Sequence, residues 1–368
     1  MMDESSKFSS TNVQLFIKFF QLFFFLYLFL FSIDLMGSSL KLFGKGFAET
    51  LINSTSNPIV GLFIGIFATS LIQSSSSTTS IIVGMVGGGV LNVANAIPII
   101  MGANIGTSVT NTLVSLAHVN RSNEFRRSFA ASTVHDFFNV LSVIVLFPIQ
   151  YFTNFLGIAA ARLADGFQNM GGLKLFNPIK AITKPVVHIL IELIGQHPWV
   201  ILVISLVLLF VALRYLVKVL RVLFVKRAEE WFNRVLFKTE IRAFILGLLV
   251  TVMAQSSSIT TSLIIPFAGA GILRLEQIFP YTMGANLGTT ITAILASLIT
   301  SEIHAVTVAF AHLLFNISGT VIWWPLKKVP IAIANKFSDF AVKNKVIPIL
   351  YIFIAFFTLP LIIILLFR

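Results

Sequence analysis

The stretch Gln73-Ser74-Ser75-Ser76-Ser77-Thr78-Thr79-Ser80 is polar but lies inside strongly apolar sequence. A second copy, Gln255-Ser256-Ser257-Ser258-Ile259-Thr260-Thr261-Ser262, follows 182 residues later. Residues 65–116 align without a gap against residues 247–298, with 24 identities in 52 positions. Agreement over this length at one fixed spacing indicates an internal duplication, so the chain contains two related copies of one unit.

The composition is that of a membrane protein. Of the 368 residues, 57% are hydrophobic and 11% are charged, whereas an ordinary soluble domain has about 25% charged residues. Several stretches reach the ~20 apolar residues that span a bilayer. The formal net charge of +12 does not indicate nucleic-acid binding, because most basic residues lie in short loops that orient spans and meet anionic lipid. The chain has no cysteine, which excludes disulfides and thiolate metal sites.

The hydropathy pattern predicts an all-α polytopic membrane protein with about seven full spans and two re-entrant helical hairpins. Each hairpin is predicted where a polar cluster separates two apolar halves that are too short to cross alone, at about 58–90 and 243–273. The full spans are predicted at about 15–40, 95–118, 129–152, 198–222, 278–300, 304–326 and 345–367.

The number of crossings between the hairpins determines how the two copies are related. Three full spans separate the hairpins, and an odd number brings the second hairpin in from the opposite face. The copies are therefore predicted to be inverted-topology repeats. Inverted repeats with interrupted helices are typical of secondary transporters, whose binding site lies near the bilayer midplane at the repeat interface.

The distribution of basic loops predicts the orientation of the chain. By the positive-inside rule, we expect a multi-pass protein of the cell (plasma or inner) membrane with a cytoplasmic N-terminus. The expected segments are a disordered cytoplasmic N-terminus at 1–14, a first span and outer loop at 15–57, inverted repeat 1 at 58–152, an extracellular connector at 153–197, a linking span and basic cytoplasmic segment at 198–242, inverted repeat 2 at 243–326, and a cytoplasmic loop and final span at 327–368.

An unwound polar cluster at membrane depth offers ligands for both an anion and a cation. Non-helical backbone is tolerated there only when it is buried in protein or lines a wet cavity. Free amides at the start of a half-helix suit an anion, since the helix dipole also favours negative charge. Hydroxyl and carbonyl oxygens suit a hard cation such as Na⁺. Thr107 and Thr110 share one helix face, as do Thr289 and Thr292, so each pair could complete a cation shell.

The remaining polar residues have more than one interpretation. Asn104 and Asn286 are bracketed by glycines and mark a second point where a polar group could reach inward. His135-Asp136 is either a proton relay, since intramembrane ionisable groups are functional candidates, or a buried structural pair. The Ser/Thr clusters could also be helix-packing surfaces, which favour small residues. Their duplication at one spacing favours a binding role.

These motifs resemble the type II sodium-dependent phosphate cotransporter family. The resemblance extends over about residues 20–367 and is carried by both Gln-Ser-Ser-Ser motifs, by residues 97–112, and by Phe125-Arg126-Arg127-Ser128-Phe129 with Val134-His135-Asp136. It implies two hairpins that face each other and form the phosphate and sodium sites. The short connector without cysteine resembles a bacterial form, because animal members carry a large disulfide-bearing outer loop between the repeats.

The resemblance and the repeat symmetry together assign the expected ligands. The sodium ligands are expected to be Gln255, Ser256, Ser258, Thr289 and Thr292, with Thr107 and Thr110 near a further cation. The phosphate ligands are expected to be Gln73, Ser74, Ser75, Ser76, Ser257, Asn104 and Asn286.

The predicted function is a sodium-coupled symporter that imports inorganic phosphate by alternating access and is not an enzyme. Na⁺ is the expected coupling ion and no other cofactor is expected. Membrane lipid is an expected partner, nucleic acid is not, and the formation of a homodimer is left open. The nearest alternative is a sodium-coupled transporter of another small anion such as a dicarboxylate. Such a carboxylate usually recruits an arginine inside the bundle, and the sequence offers no convincing one. A serine hydrolase is disfavoured because the chain has no Gly-x-Ser-x-Gly elbow, and a channel because it does not need inverted repeats.

Overall fold

A computed structural model describes residues 4–170, 177–195, 197–220 and 239–367. Within these ranges the protein is helical and includes no β-strand. The α-helices are α1 (Glu4–Leu42), α2 (Lys45–Ser54), α3 (Pro58–Ile72), α4 (Ser75–Gly87), α5 (Val93–Gly106), α6 (Val109–Ser115), α7 (Ser122–Thr153), α8 (Phe155–Asn169), α9 (Asn177–Ile194), α10 (Pro198–Leu220), α11 (Glu240–Ala254), α12 (Ser257–Gly269), α13 (Leu275–Thr300), α14 (Ile303–Trp323), α15 (Lys328–Lys343), α16 (Val346–Phe353) and α17 (Leu359–Phe367). A π-helical turn, Ile354–Thr358, joins α16 to α17.

Seven helical stretches in the described part of the chain are long and apolar enough to cross a membrane. They are Ile17–Leu42, Val93–His118, Ser122–Thr153, Pro198–Leu216, Leu275–Thr300, Ile303–Trp323 and Val346–Phe367. Each coincides with one predicted span, so the all-α membrane class and the number of spans are confirmed. The re-entrant hairpins and the inverted relation of the repeats stay predictions.

Three segments outside the spans are more helical than the sequence suggested. α1 begins at Glu4, inside the predicted disordered N-terminus, since no glycine or proline interrupts the chain before Gly37. α2 lies within the predicted outer loop. α15 lies within the predicted cytoplasmic loop, where it packs against α7. Its buried residues recur every three or four positions, which is the pattern of a helix with one apolar face. They are Pro330, Ile331, Ala334, Ser338 and Ala341.

The connector between the repeats contains two helices, α8 and α9. α8 packs against α14, and α9 packs against α1. The Gly171-Gly172 pair of this connector lies outside the described residues. So does the part from Lys226 to Lys238 of the basic segment predicted from Lys226 to Arg242.

The two copies of the duplicated unit each contain a helix pair in backbone contact. α3 packs against α5, and α11 packs against α13. A Cβ atom at Gly65 or Gly102 would collide with a backbone carbonyl oxygen of the partner helix, and the same holds at Gly247 and Gly284 in the second copy. Glycine at these positions therefore allows the close helix approach that small residues give in membrane proteins.

The second helix of each interrupted region packs against the other copy. α4 contacts α13 and α14, and α12 contacts α6 and α7. The α4 contact is apolar and includes Ile82, Val83 and Ala293. This reciprocal packing places the two polar clusters between the copies, where inverted repeats would be expected to meet.

The glycine contacts make a direct prediction about stability. Gly65→Ala and Gly247→Ala should each lower the free energy of unfolding by about 1–3 kcal/mol or more, because the added methyl group forces two backbones apart. Melting temperature of the purified protein in detergent is the measurement. Gly37→Ala in α1 is the matched control, since a Cβ there meets nothing within 4 Å. A Gly65→Ala protein that melts like the control would contradict the close-contact interpretation.

Candidate functional site

Both polar clusters interrupt a helix with the same backbone geometry. Gln73 ends α3 in the left-handed conformation (φ 57°, ψ 27°), and its N–H donates to the Thr69 carbonyl oxygen at 2.7 Å. Gln255 ends α11 in the same way (φ 51°, ψ 28°), with a 2.7 Å hydrogen bond to the Thr251 carbonyl oxygen. This conformation costs a non-glycine residue roughly 1–2 kcal/mol. The same left-handed glutamine therefore ends the first helix at the polar cluster in both copies.

A serine then starts the second helix of each pair. Ser74 and Ser256 are extended, with φ of −152° and −157°. The Ser74 hydroxyl accepts a hydrogen bond from the Ser77 N–H at 3.2 Å, and the Ser256 hydroxyl accepts one from the Ile259 N–H at 3.4 Å. A helix begins with four amides that have no intrahelical acceptor, and the cap satisfies one of them. The other amides lie at the positive end of the helix dipole, which suits an anion.

The two helix breaks are in direct contact. The Ser76 hydroxyl, in the first cluster, donates a hydrogen bond to the Gln255 carbonyl oxygen at 3.1 Å. This bond joins residues 179 positions apart in the chain. The start of α4 therefore meets the end of α11, and both clusters contribute to one site.

A cavity of about 400 Å³ lies where the breaks meet. Its walls come from both clusters, from α6 and from α10. The lining residues are Ile72, Gln73, Ser74, Ser76, Ser77, Thr110, Phe210, Leu213, Arg214, Gln255, Ser256, Ser258, Ile259 and Ser262. No carboxylate is among these described residues, so the cavity offers hydroxyls, amides and one positive charge.

Arg214 provides that positive charge, which corrects the expectation that the sequence offers no arginine for the inside of the bundle. It lies in α10, outside both copies of the duplicated unit, and only the fold brings it to the polar clusters. One signal was available, because Arg214 is the only charged residue between Pro198 and Leu216. An ionisable residue inside an apolar span is a functional candidate by default.

The structure brings half of the predicted ligands together at the cavity. Those that line it are Gln73, Ser74, Ser76, Thr110, Gln255, Ser256 and Ser258. Ser75 and Ser257 begin α4 and α12 and are buried rather than part of the lining. The hydroxyls of Thr107 and Thr289 donate to carbonyl oxygens of their own helices, at 3.0 and 3.1 Å.

The two copies differ at the threonine that faces each break. The Thr292 hydroxyl donates to Gln255 Oε1 at 2.6 Å, so two predicted sodium ligands are in contact. Its counterpart Thr110 lines the cavity, and its buried hydroxyl has no hydrogen-bond partner among the described residues. Two predicted ligands of the second copy are therefore in contact, whereas the Thr110 hydroxyl has no such contact within the described residues.

Later residues of the clusters serve helix packing. The Thr79 hydroxyl donates to the Ser75 carbonyl oxygen at 2.8 Å within α4. The Asn111 amide nitrogen donates to the Thr261 hydroxyl at 2.8 Å, which ties α6 to α12. The packing interpretation therefore applies to the later residues, and the binding interpretation of the first residues stays a prediction.

Asn104 and Asn286 lie away from the cavity lining, in a buried polar network. His135 Nε2 lies 2.6 Å from Asn286 Oδ1, and His312 Nε2 lies 3.4 Å from Asn104 Oδ1. Each histidine thus contacts the asparagine of the other copy. The amide of Asn139 extends the network, because it donates to the Asn104 carbonyl oxygen at 2.9 Å and accepts from the Asn286 amide at 2.6 Å.

His135 and Asp136 contact different partners. Asp136 Oδ2 accepts hydrogen bonds from the Tyr351 hydroxyl at 3.0 Å and the Thr112 hydroxyl at 3.3 Å. No hydrogen bond joins His135 to Asp136 in the described part of the chain. Both side chains are fully buried, and each connects its helix to a different neighbour, which favours the structural interpretation over a direct relay between the two.

The asparagine network predicts a stability effect that needs no ligand. Asn286→Ala would remove the shortest contact of His135 Nε2 and the hydrogen bond that Asn139 Oδ1 accepts, and a buried polar atom left without its partner costs about 1–3 kcal/mol. We expect a clear drop in melting temperature in phosphate-free buffer. Asn123→Ala, at an exposed position, is the control and should melt like the unmodified protein. Equal melting of Asn286→Ala and the control would show that these hydrogen bonds do not stabilise the fold.

Comparison with known proteins gives one consistent result. Residues 28–183 and 208–335 match the sequence model of the Na⁺/Pi-cotransporter family. Sodium-dependent phosphate transport protein 2A of Rattus norvegicus is 34% identical over 416 residues, which covers 91% of this chain and 65% of the relative. Sodium-dependent phosphate transport protein 2B of Pongo abelii is 31% identical over 436 residues, which covers 92% of this chain and 63% of the relative. No solved structure shows a significant match.

This chain thus spans less than two thirds of the length of these relatives. The matched segments nevertheless include both helix breaks, α6 and the part of α10 that carries Arg214. They cover more than half of the chain. The chain therefore belongs to the Na⁺/Pi-cotransporter family.

Proposed function

We propose that the protein is a sodium-coupled symporter that imports inorganic phosphate by alternating access. The observation that carries the proposal is the contact of the two helix breaks at one cavity, where free helix amides and hydroxyl oxygens meet. The family match and the names of the relatives, which state sodium-dependent phosphate transport, support this substrate and this coupling ion.

The anion is proposed to bind between the starts of α4 and α12. Both helices direct the positive ends of their dipoles toward the break that precedes them, and the cavity lining includes no described carboxylate that would repel an oxyanion. Ser76 and Ser258 line the cavity at these helix starts, so their hydroxyls supplement the amides. Ser74 and Ser256 hold the geometry as N-caps.

The cation is proposed to bind beside Gln255. Gln255 Oε1 and the Thr292 hydroxyl are already in contact, and Ser256 and Ser258 line the same wall. These are neutral oxygen ligands of the kind that a hard cation accepts. A sodium ion would replace the hydrogen bond between Thr292 and Gln255 by two ion–oxygen contacts.

Coupling follows from the proximity of the two ions. A bound sodium ion adds positive charge beside the anion site and raises its affinity for phosphate. By linkage, phosphate raises the affinity for sodium by the same factor. We further propose that the protein lies in the cell membrane with its N-terminus in the cytoplasm, as the loop charges predict.

Uptake into proteoliposomes tests the proposed function. An inward sodium gradient should drive radiolabelled phosphate above its equilibrium concentration, whereas an inward potassium gradient should not. Accumulation would collapse when a sodium ionophore dissipates the gradient. Equal uptake with sodium and potassium would contradict sodium coupling, and uptake of succinate but not phosphate would identify a dicarboxylate transporter.

Thr292→Val tests the cation site, because valine keeps the shape of threonine and removes the hydroxyl. The sodium concentration for half-maximal uptake should rise about tenfold, which corresponds to about 1.4 kcal/mol. Thr320→Val is the matched control, since its hydroxyl bonds to its own helix and does not line the cavity. An unchanged sodium dependence in Thr292→Val would remove this residue from the ligand set.

Gln255→Gly separates the role of the side chain from that of the backbone. Glycine adopts the left-handed conformation without strain, which offsets part of the stability lost with the side-chain hydrogen bonds to the Val252 carbonyl oxygen and from the Thr292 hydroxyl. The sodium dependence should weaken as in Thr292→Val, because both variants break the same oxygen pair. A Gln255→Gly protein with normal sodium dependence would show that only the backbone of this residue matters.

A further inference from the structure

We propose that Arg214 binds the transported anion directly, as a guanidinium supplied to the cavity from outside the two repeats. The inference rests on the proposed function and deepens it, because it assigns the anion's charge partner.

The Arg214 guanidinium has no ion-pair or hydrogen-bond partner among the described residues. The ion pairs among the described residues are Lys41–Glu302, His118–Glu124, Arg121–Glu124, Arg126–Asp339 and Lys327–Glu240. None includes Arg214, and no hydrogen bond links it to the described part of the chain. Its charge is therefore not compensated there by a carboxylate or a carbonyl oxygen.

Arg162 and Arg242 also have no side-chain acceptor in the described part of the chain, but neither lines the cavity. Two other arginines do have acceptors. Arg126 is paired with Asp339, and Arg127 donates through Nε to the Gly269 carbonyl oxygen at 2.9 Å. Each of these guanidinium groups therefore has a structural acceptor at the end of the bundle. Arg214 is exposed, lies two residues before the end of the span Pro198–Leu216, and lines the cavity between the two polar clusters.

Arg214 lines the cavity together with hydrogen-bond donors from both polar clusters. The cavity also receives Ser76 and Ser258 at the starts of α4 and α12. These groups donate hydrogen bonds but carry no net charge. A guanidinium adds a full positive charge and five N–H donors in a planar fork, which matches two oxygens of one oxyanion. The combination selects a small anion with several oxygens.

Two basic residues of α10, Arg214 and Lys218, differ in whether they line the cavity. Lys218 lies one turn beyond Arg214 on the same helix, with its Nζ 5.9 Å from the centroid of the Tyr215 ring, and it does not line the cavity. If Arg214 only oriented the helix end or reached lipid headgroups, both residues would serve the same purpose. Of the two, only Arg214 is placed to contact an anion in the cavity.

The test uses the full chain in proteoliposomes, with three variants: Arg214→Gln, Arg214→Lys and Lys218→Gln. Under saturating sodium, the phosphate concentration for half-maximal uptake should rise about 10- to 100-fold in Arg214→Gln, as expected for the loss of a charge-assisted hydrogen bond. Arg214→Lys keeps the charge but loses the fork, so its increase should be smaller. Lys218→Gln should transport like the unmodified protein.

A second measurement distinguishes a binding role from misfolding. Sodium alone should raise the melting temperature of Arg214→Gln as much as that of the unmodified protein, whereas phosphate added with sodium should stabilise only the latter. A phosphate dependence of Arg214→Gln within about twofold of the unmodified protein would overturn the inference. Equal losses in Arg214→Gln and Lys218→Gln would also overturn it, in favour of a lipid or orientation role.

The inference and the proposed function can fail separately. If the unmodified protein shows no sodium-driven phosphate uptake, the proposed function is wrong. Melting temperatures with phosphate, sulfate and succinate then decide the inference. An anion that stabilises the unmodified protein but not Arg214→Gln supports it, and the absence of any stabilisation that depends on Arg214 overturns it.

Discussion

The hydrogen bond from Ser76 to the Gln255 carbonyl oxygen is the contact on which the site depends. Unwound backbone inside a membrane is stable only where protein or enclosed water satisfies its polar groups. Each break solves part of this problem locally, through a left-handed glutamine and a serine cap. The Ser76 contact then joins the two breaks, so polar groups of both breaks line one cavity.

The electrostatic character of that space follows from the same arrangement. Two helix starts direct partial positive charge into the cavity, and Arg214 contributes the only full charge among its described lining residues. Neutral oxygens, such as those of Gln255 and Thr292, complete the wall. An anion and a hard cation would stabilise each other there, because neither finds its full complement of opposite charge in the protein alone. The fully buried carboxylate of Asp136 has its partners elsewhere, in Thr112 and Tyr351.

The sequence was sufficient for the helical class, the seven spans and the two helix breaks, because hydropathy and a duplicated motif are local signals. It also selected Gln255 and Thr292, which the fold brings into contact. It did not separate Asn104 and Asn286 from the cavity, since glycine neighbours reveal a close helix approach but not which space the side chain enters. Arg214 was missed for a related reason. A basic residue near the end of an apolar span looks like an orientation signal until packing shows which wall it lines, and that packing joins segments far apart in the chain.

The glycine contacts between α3 and α5 and between α11 and α13 have a mechanical consequence. Two helices whose backbones touch cannot slide or tilt without breaking many contacts at once, because packed interfaces are bistable rather than continuously deformable. Each helix pair is therefore expected to behave as one rigid body. In the proposed transport cycle, relative motion of the two sides of the cavity would then occur at the side-chain contacts that α4 and α12 make with the opposite copy.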